Sequence, residues 1–131
     1  MSRVDELFAA AKGAREKAYA PYSRFQVGAA LIAGDGSLHT GCNVENAAFP
    51  EGVCAEAGAI SAMVLAGQQS ISEVLVVADA ALCTPCGGCR QKLNEFAGKD
   101  MTVHVADLNG VRRSFTMDEL LPAGFELEEK D

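Results

Sequence analysis

The sequence predicts an α/β protein, built as a three-layer α-β-α sandwich around a mixed sheet of about five strands. The 131 residues suffice for one domain with a buried core, and 49% of them are hydrophobic, so a single domain over residues 1–131 is expected. Helical and strand-like patterns follow the order α-β-β-α-β-α-β-β-α, which is typical of helices on both faces of a mixed sheet. Residues 74–78 are apolar throughout and therefore predict a central strand covered on both faces.

The first half of the chain predicts a helix, a β-hairpin and a second helix. Ser2 followed by Asp5 is typical of a helix start. A glycine-rich turn at residues 34–36 separates two apolar runs, which predicts the hairpin, and residues 46–53 are expected to form a loop. The second helix has no polar face, so most of it is expected to be buried. The predicted elements are a helix to about Ala18, strands over residues 25–32 and 38–44, and a helix over residues 54–66.

The second half predicts three strands and two helices. Pro85 precedes a helix that Gly98 ends, and Asn109-Gly110 marks a turn between two strands. Thr116 followed by Glu119 resembles a capping box, in which each side chain accepts a hydrogen bond from the other residue's backbone. The predicted elements are strands over residues 73–79, 102–106 and 111–115, and helices over residues 86–97 and 116–121.

The charge and hydropathy patterns exclude several classes of protein. There are 18 acidic residues against 11 lysines and arginines, giving a net charge of −7 without any basic run, so no nucleic-acid partner is expected. No stretch approaches the roughly 20 apolar residues that span a bilayer, so no membrane partner is expected. The first residues are acidic where a signal peptide would be basic, which predicts a cytoplasmic protein. The high apolar content suggests surfaces that are buried between subunits.

Three cysteines and a glutamate form the pattern with the clearest chemistry. Five cysteines in a chain without a secretory signal favour metal or catalytic use over disulfides. Cys86 and Cys89 are three residues apart at a predicted helix start, so both thiolates can reach one ion, and Cys54 at another helix start supplies a third. A tetrahedral Zn²⁺ then keeps a fourth position for water. Glu56, in the first turn of its helix, is placed to act there as general acid and base.

The residues alone leave alternatives to this zinc site. The three cysteines can instead be buried or redox-active thiols, and Cys83 can complete a closed site of four cysteines or part of an iron–sulfur run. Cys42 is expected in the core, with a redox role as the alternative. Glu56 can be an ordinary first-turn acid. The two histidines, His39 and His104, lack metal-ligand spacing to the cysteines and are assigned no chemistry.

Five motifs stand in order along nearly the whole chain. They are APYSRFQVGAAL at residues 20–31, GCNVENA at 41–47, CAE at 54–56, PCGGCRQ at 85–91 and LLP at 120–122. With them the chain resembles the small homotetrameric, zinc-dependent cytidine deaminases of the cytidine/deoxycytidylate deaminase superfamily, which implies a cytidine deaminase-like fold. The resemblance implies hydrolytic deamination of cytidine and deoxycytidine to uridine and deoxyuridine, with release of ammonia, in pyrimidine salvage. It also implies one Zn²⁺ per subunit.

The same resemblance implies roles for single residues. Cys54, Cys86 and Cys89 would be the zinc ligands, and Glu56 would carry the proton. The family shares each site between neighbouring subunits of a homotetramer. The implied substrate contacts are Phe25 on the pyrimidine, Asn43 and Glu45 on the ribose 3′-hydroxyl, Ala55, and, across a subunit boundary, Ala47, Phe49 and Phe125.

Two positions depart from the family's pattern. The family usually carries Arg directly after the Cys-Ala-Glu triplet, where its guanidinium donates hydrogen bonds to the ligand sulfurs, and this chain has Ala57. We therefore expect more negative charge at the zinc unless another cation compensates. Residues 49–52 (FPEG) replace a loop that commonly holds a Tyr, so substrate preference can shift there. A deaminase of modified aminopyrimidine nucleosides and a non-catalytic zinc-stabilised module stay open as alternatives. Arg90 and Gln91 are either surface residues or neighbours of the sulfurs.

Overall fold

The computed structural model describes residues 3–128, and its elements follow the predicted order. They are helix α1 (Val4–Arg15), strands β1 (Val27–Ala33) and β2 (Leu38–Cys42), a 3₁₀ turn (Phe49–Glu51), helix α2 (Ala55–Leu65), strand β3 (Ile71–Ala78), helix α3 (Gly87–Phe96), strands β4 (Ala97–Asp107) and β5 (Gly110–Thr116), and helix α4 (Met117–Leu120). The predicted α-β-α class with a mixed sheet is confirmed. Within residues 3–128, none of the helices has the length and apolar character needed to cross a bilayer.

The sheet has the strand order β2-β1-β3-β4-β5, with β3 at its centre. β1 runs antiparallel to β2 and β3, β3 and β4 are parallel, and β5 returns antiparallel to β4. β3 is buried from Val74 to Ala78, as its apolar run predicts. Because β3 and β4 are parallel, the chain must cross one face of the sheet between them, and α3 makes that crossing.

The two helical layers bury opposite faces of the sheet. On one face α1 packs Leu7 and Ala11 against alternate residues of β1 and β3, among them Ala30 and Leu75. On the other face α2 packs Met63 into the larger core, to which α3 and α4 also contribute. The side chains of successive strand residues point to opposite faces, so β1 and β3 contribute side chains to both cores.

Helix α2 lies very close to β2 because Gly41 has no side chain. A Cβ at Gly41 would lie 2.3 Å from the backbone nitrogen of Ala59 and 2.4 Å from the carbonyl oxygen of Ala55. Both atoms belong to the α2 backbone, so no larger residue fits unless the helix moves. This contact fixes where α2 begins relative to the sheet.

The first helix is shorter than predicted. α1 ends at Arg15 rather than near Ala18, because the backbone turns there with hydrogen bonds between residues three apart. The turn allows Tyr19 to pair with Val44, a long-range bridge that helical periodicity does not reveal. The predicted cap at Ser2 lies outside the described residues.

Four strands also begin at other residues than predicted: β3 begins at Ile71 rather than residue 73, β5 at Gly110 rather than residue 111, and β1 and β4 show the reason for such shifts. β1 begins at Val27, because the backbone of Phe25 is held by side chains rather than by a neighbouring strand. β4 begins at Ala97 instead of residue 102, because Ala97 pairs with Ile71 before the register shifts. Both differences arise from partners that are distant in sequence.

Two local signals are confirmed. The hydroxyl of Thr116 accepts a hydrogen bond from the Glu119 backbone (3.2 Å), and the Glu119 carboxylate accepts one from the Thr116 N–H (2.9 Å), completing the predicted capping box. Gly36 adopts a φ of +87° in the predicted hairpin turn, a conformation that glycine reaches without strain.

The expectation that most of α2 is buried is wrong for its last turn. Its buried residues share one face and are Ala55, Glu56, Ala59, Ile60 and Met63. Val64 and Leu65 are 43% and 91% exposed. Apolar composition alone does not show which face of α2 the sheet covers. Only helix residues that lie three or four apart, on one side of the helix, contact the sheet.

His104 lies in a polar network on the α1 face of the sheet, away from the cysteines. Its ring contacts the Glu73 carboxylate and the Ser114 hydroxyl, both at 2.6 Å, and the residue is only 8% exposed. Strand pairing places His104 beside Leu75, whose side chain packs under α1. The network links three neighbouring strands by their side chains.

Candidate active site

Three cysteine thiols meet where two helices begin. Cys54 immediately precedes α2, Cys86 immediately precedes α3, and Cys89 lies buried in the first turn of α3. Their sulfur atoms all lie within 4.8 Å of one another. Zinc bonds of about 2.3 Å at tetrahedral angles hold sulfurs about 3.8 Å apart, so a small contraction of the cluster suits one ion. The structure thus brings the three predicted ligands together.

The surroundings shift the pKa values of the three cysteine thiols in different directions. The backbone N–H of Cys89 donates to the Cys86 sulfur and lowers the pKa of Cys86. Burial raises the pKa of Cys54 and, much further, that of Cys89. A metal that binds all three sulfurs would therefore have to displace protons.

Glu56 is a buried acid beside the thiols. It lies in the first turn of α2 and is only 4% exposed. Burial raises the pKa of Glu56, while its own backbone N–H, the Cys89 thiol and the positive charge of Lys92 act in the opposite direction. Because the carboxyl group borders the same cavity as the Cys54 and Cys86 thiols, it can exchange protons there.

Two adjoining cavities open onto these groups and share Asn43 and Cys54 in their walls. The smaller has a volume of about 180 Å³, with apolar walls from Val27 of β1 and Val76 of β3. The larger, of about 460 Å³, is more open and is bordered by the loop before α2, including Phe49. A ligand in the smaller cavity would therefore lie beside Cys54, Cys86 and Glu56, with room to extend into the larger cavity.

Asn43 joins the end of β2 to the start of β1. Its amide oxygen accepts a hydrogen bond from the Val27 N–H (2.8 Å), and its amide nitrogen donates one to the Phe25 carbonyl (2.9 Å). An asparagine amide has two N–H groups and two lone pairs, so one of each is left for a ligand. Asn43 therefore has a structural role in addition to any contact with a ligand.

Glu45 holds the segment that precedes β1. Its carboxylate accepts hydrogen bonds from the backbone N–H groups of Tyr22 (3.0 Å) and Ser23 (3.1 Å) and from the Ser23 hydroxyl. The Ser23 hydroxyl, helped by these N–H groups, holds the pKa of Glu45 below its usual range. Glu45 borders the larger cavity, and its carboxylate keeps one lone pair for a ligand.

Within a single chain, only some of the other residues predicted to contact the substrate lie at the site. Ala55 lines the smaller cavity and Phe49 the larger one, although Phe49 is 81% exposed. Phe25 is 39% exposed and lines neither cavity. Ala47 and Phe125 are exposed and lie outside both walls. Their proposed contacts with substrate therefore require another subunit or a rearrangement.

Arg90 ties the cysteine loop to the last helix. Its guanidinium donates to the carbonyl oxygens of Pro85 (2.8 Å) and Leu120 (3.0 Å). Both acceptors are backbone atoms, and one of them belongs to Pro85, which directly precedes Cys86. Gln91 donates to the carbonyl of Phe125 (3.0 Å) and so holds the chain after α4 against α3.

Sequence reasoning missed part of the smaller cavity's wall. Cys83 and Thr84 line it beside Cys86. The three-residue spacing between Cys83 and Cys86 is a signal for such proximity, but Cys83 is not in the group of three sulfurs that approach one another. Ala57 lies elsewhere, at a separate surface cavity of about 360 Å³ that Lys92 also borders.

Zinc-dependent hydrolases combine metal ligands around one position with an acidic side chain beside them. The three cysteines and the buried acid have this arrangement. The family model described as the cytidine and deoxycytidylate deaminase zinc-binding region matches residues 1–105. The chain belongs to this family. Zinc is accordingly its cofactor, and the predicted membership is confirmed.

Similar proteins agree in sequence and in fold. A cytidine deaminase of Sporosarcina psychrophila is 44% identical over 127 residues, covering 96% of this chain and 93% of the relative. One of Halalkalibacterium halodurans is 44% identical over 117 residues, covering 88% of this chain and 89% of the relative. The crystal structure of cytidine deaminase from Burkholderia pseudomallei has a TM-score of 0.88 at 41% identity, covering 95% of this chain and all of that one.

Proposed function

We propose that this chain hydrolytically deaminates cytidine and deoxycytidine to uridine and deoxyuridine, releasing ammonia, in pyrimidine salvage. The observation that carries the proposal is the buried carboxyl group of Glu56 in one cavity with the Cys54 and Cys86 thiols. Relatives named cytidine deaminase, which match nearly the whole chain, support the same reaction.

Cys54, Cys86 and Cys89 hold one zinc ion per subunit. Three sulfur donors near tetrahedral spacing suit zinc, and the helix N-termini on which they lie favour thiolates. Bound zinc supplies a water of lowered pKa at its fourth position. Arg90 holds the loop that carries Cys86 by binding the Pro85 carbonyl.

Glu56 carries the proton. It takes a proton from the water that adds to C4 and passes this proton to N3 of the pyrimidine. It then takes the remaining proton from the new hydroxyl group at C4 and delivers it to the amine, and the bond from C4 to that nitrogen breaks to release ammonia. The water oxygen becomes the carbonyl oxygen of the product. Burial raises the pKa of Glu56, which helps the side chain to hold the proton between transfers.

The smaller cavity takes the pyrimidine, and the larger takes the sugar. Asn43 and Glu45 hold the ribose 3′-hydroxyl with the N–H and lone pairs that their backbone hydrogen bonds leave unused. Phe25 stacks on the pyrimidine once substrate is bound, and Ala55 contacts it from the start of α2.

The working enzyme is a homotetramer in which neighbouring subunits share each site. Exposed apolar side chains support this assembly, since Leu65, Phe49 and Phe125 are 91%, 81% and 66% exposed on the single chain. A neighbouring subunit supplies Ala47, Phe49 and Phe125 to the substrate. The enzyme acts in the cytoplasm, where five free cysteines suit a reducing environment.

A substrate panel tests the proposed reaction. Zinc-loaded protein is mixed with cytidine, deoxycytidine or free cytosine, and ultraviolet absorbance and ammonia are followed. We expect turnover of both nucleosides and little of cytosine, which lacks the sugar that Asn43 and Glu45 hold. Glu16→Gln changes an exposed acid beyond α1 and is the matched control for Glu56→Gln. It should keep wild-type rates. Turnover confined to modified aminopyrimidine nucleosides would contradict the assigned substrate.

A non-catalytic zinc site is the second candidate, because Cys83 borders the same cavity as Cys54 and Cys86. In that case Cys83 would fill the fourth position and no water would be held there. Zinc content of Cys83→Ser separates the two functions. We expect one zinc per chain and unchanged turnover, whereas loss of zinc would favour the closed site.

A further inference from the structure

One serine connects two of the residues to which the proposed function gives substrate contacts. The Ser23 hydroxyl forms a hydrogen bond with the Glu45 carboxylate, and the backbone N–H of Phe25 donates to the same hydroxyl oxygen (3.0 Å). Ser23 also lies in the wall of the larger cavity, together with Glu45. Its hydroxyl therefore stands between the acid at the sugar cavity and the backbone that carries the Phe25 ring.

The direction of the hydrogen bond from Ser23 follows from its two partners. A serine hydroxyl has one hydrogen and two lone pairs. The Phe25 N–H can only donate, so the hydroxyl oxygen accepts from it and the hydroxyl hydrogen remains for Glu45. A carboxylate can only accept, which fits this direction. Ser23 therefore donates its single hydrogen to Oε2 of Glu45.

The hydrogen bonds of Glu45 leave one position for a ligand. Its Oε1 atom accepts from the backbone N–H groups of Tyr22 (3.0 Å) and Ser23 (3.1 Å), which occupies both lone pairs of that oxygen. Its Oε2 atom accepts from the Ser23 hydroxyl and keeps one lone pair. A ligand hydroxyl in the larger cavity thus has a single acceptor position on this carboxylate, and that position lies on the oxygen that Ser23 binds.

The segment around Ser23 is held by side chains rather than by a neighbouring strand. Arg24 has a φ of +61°, a backbone conformation that is unfavourable for a residue other than glycine. On one side of Arg24, the Ser23 N–H and hydroxyl both bind the Glu45 carboxylate. On the other side, the Phe25 carbonyl accepts a hydrogen bond from the Asn43 amide (2.9 Å). The Ser23 hydroxyl joins the two sides, because it binds Glu45 and the Phe25 N–H at once.

We infer that Ser23 is a positioning residue for the sugar, whose hydroxyl fixes the free lone pair of Glu45 for the ribose 3′-hydroxyl. The inference rests on the proposed function and deepens it. Because its one hydrogen is donated to Glu45, Ser23 acts through that carboxylate and does not itself donate to the substrate. Without the hydroxyl, Oε2 of Glu45 loses the partner that sets its orientation, and the acceptor is no longer fixed for the sugar.

A pair of substrates that differ only in the 3′-hydroxyl tests this role. The kcat/KM is measured for cytidine and 3′-deoxycytidine with zinc-loaded wild type, Ser23→Ala and Ser23→Thr. Wild type should favour cytidine by about 10- to 100-fold, the usual contribution of a hydrogen bond to a charged group. We expect this ratio to fall by about 3- to 10-fold in Ser23→Ala, through a higher KM for cytidine, and to stay near wild type in Ser23→Thr, which keeps the hydroxyl. Because both substrates are measured on one sample, the ratio does not depend on the folded or zinc-loaded fraction.

A second serine provides the matched control. Ser37 also donates its hydroxyl to a carboxylate, that of Asp35, but this pair lies in the hairpin turn between β1 and β2. Ser37→Ala should therefore keep the wild-type ratio. If Ser23→Ala lost kcat/KM equally for both substrates, Ser23 would have a structural role alone and the inference would be overturned. An equal fall of the ratio in Ser37→Ala or in Ser23→Thr would overturn it as well.

Failure of the inference is distinguishable from failure of the proposed function. If zinc-loaded wild type did not turn over cytidine, the proposed reaction would be wrong and the role of Ser23 with it. If wild type turned over both substrates with equal kcat/KM, the assignment of the 3′-hydroxyl to Glu45 would be wrong, and again the role of Ser23. If wild type and Ser23→Ala favoured cytidine to the same extent, only the role of Ser23 would be refuted.

Discussion

Gly41→Ala tests whether the contact between β2 and α2 sets the position of the catalytic groups. A Cβ at Gly41 would lie 2.3 Å, 2.4 Å and 2.8 Å from backbone atoms of Ala59, Ala55 and Gly58. Ordinary contacts begin at 3.4 Å, so α2 would have to retreat by about 1 Å. Such overpacking costs about 1–3 kcal/mol of the free energy of unfolding. Because α2 carries Glu56, a shift of about 1 Å should also lower kcat by about 100-fold.

Two other glycines provide controls on different parts of the fold. A Cβ at Gly28 would lie 2.0 Å from the carbonyl oxygen of Ala11, in α1 on the opposite face. Gly28→Ala should therefore lose at least as much stability, while the folded fraction keeps a kcat near wild type. Gly13 has no atom within 4 Å of a built Cβ, so Gly13→Ala should gain about 0.5–1 kcal/mol by its helix propensity.

The assay combines urea unfolding with kcat measured per folded, zinc-loaded molecule. We expect Gly41→Ala and Gly28→Ala to lose similar stability but to differ in kcat by about 100-fold. If Gly41→Ala were destabilised yet kept its kcat, the position of α2 would not govern catalysis. Equal losses of kcat in both variants would indicate a general loss of order instead.

Three further predictions concern single side chains. Glu45→Gln should raise KM without changing the pH profile between pH 5 and 8, and steady-state kinetics measured against pH check this. The lowered pKa of Glu45 keeps its carboxylate charged in that range, and its contacts are lost only as the pH falls through that lowered pKa. Ala57→Arg should be tolerated, since the position borders a cavity of about 360 Å³, and should alter zinc retention or the pH optimum; identical metal content and pH–rate profiles would argue against it. A double-mutant cycle of Glu73→Ala and His104→Ala should give about 1–2 kcal/mol of coupling in the free energy of unfolding without affecting kcat, and additive losses would refute the coupling.

Local patterns were sufficient to predict the elements and the cysteine cluster. The apolar run in β3 is stable only at the centre of the sheet, because both faces of this strand must be buried. Cys86 and Cys89 lie on one turn, so their spacing already indicates a shared ion. The Thr116 capping box depends on residues three apart, and the structure contains it as predicted.

Features set by distant partners could not be predicted in this way. β4 begins early because Ala97 meets Ile71, which lies on another strand. The exposure of Leu65 depends on which face of α2 the sheet covers. The Asn43 amide uses one N–H group and one lone pair in hydrogen bonds to the backbone at and before the start of β1. Each of these depends on tertiary geometry that a single sequence window does not contain.

The central claim is that three thiolates hold the zinc while Glu56 moves the proton. Its most direct test is zinc content and cytidine turnover, measured on the same samples of wild type and Glu56→Gln. The account predicts one zinc per chain in both proteins and a turnover that falls by about 10²- to 10⁴-fold in Glu56→Gln, the usual contribution of general acid–base catalysis. Turnover of zinc-loaded Glu56→Gln at the wild-type rate would contradict it.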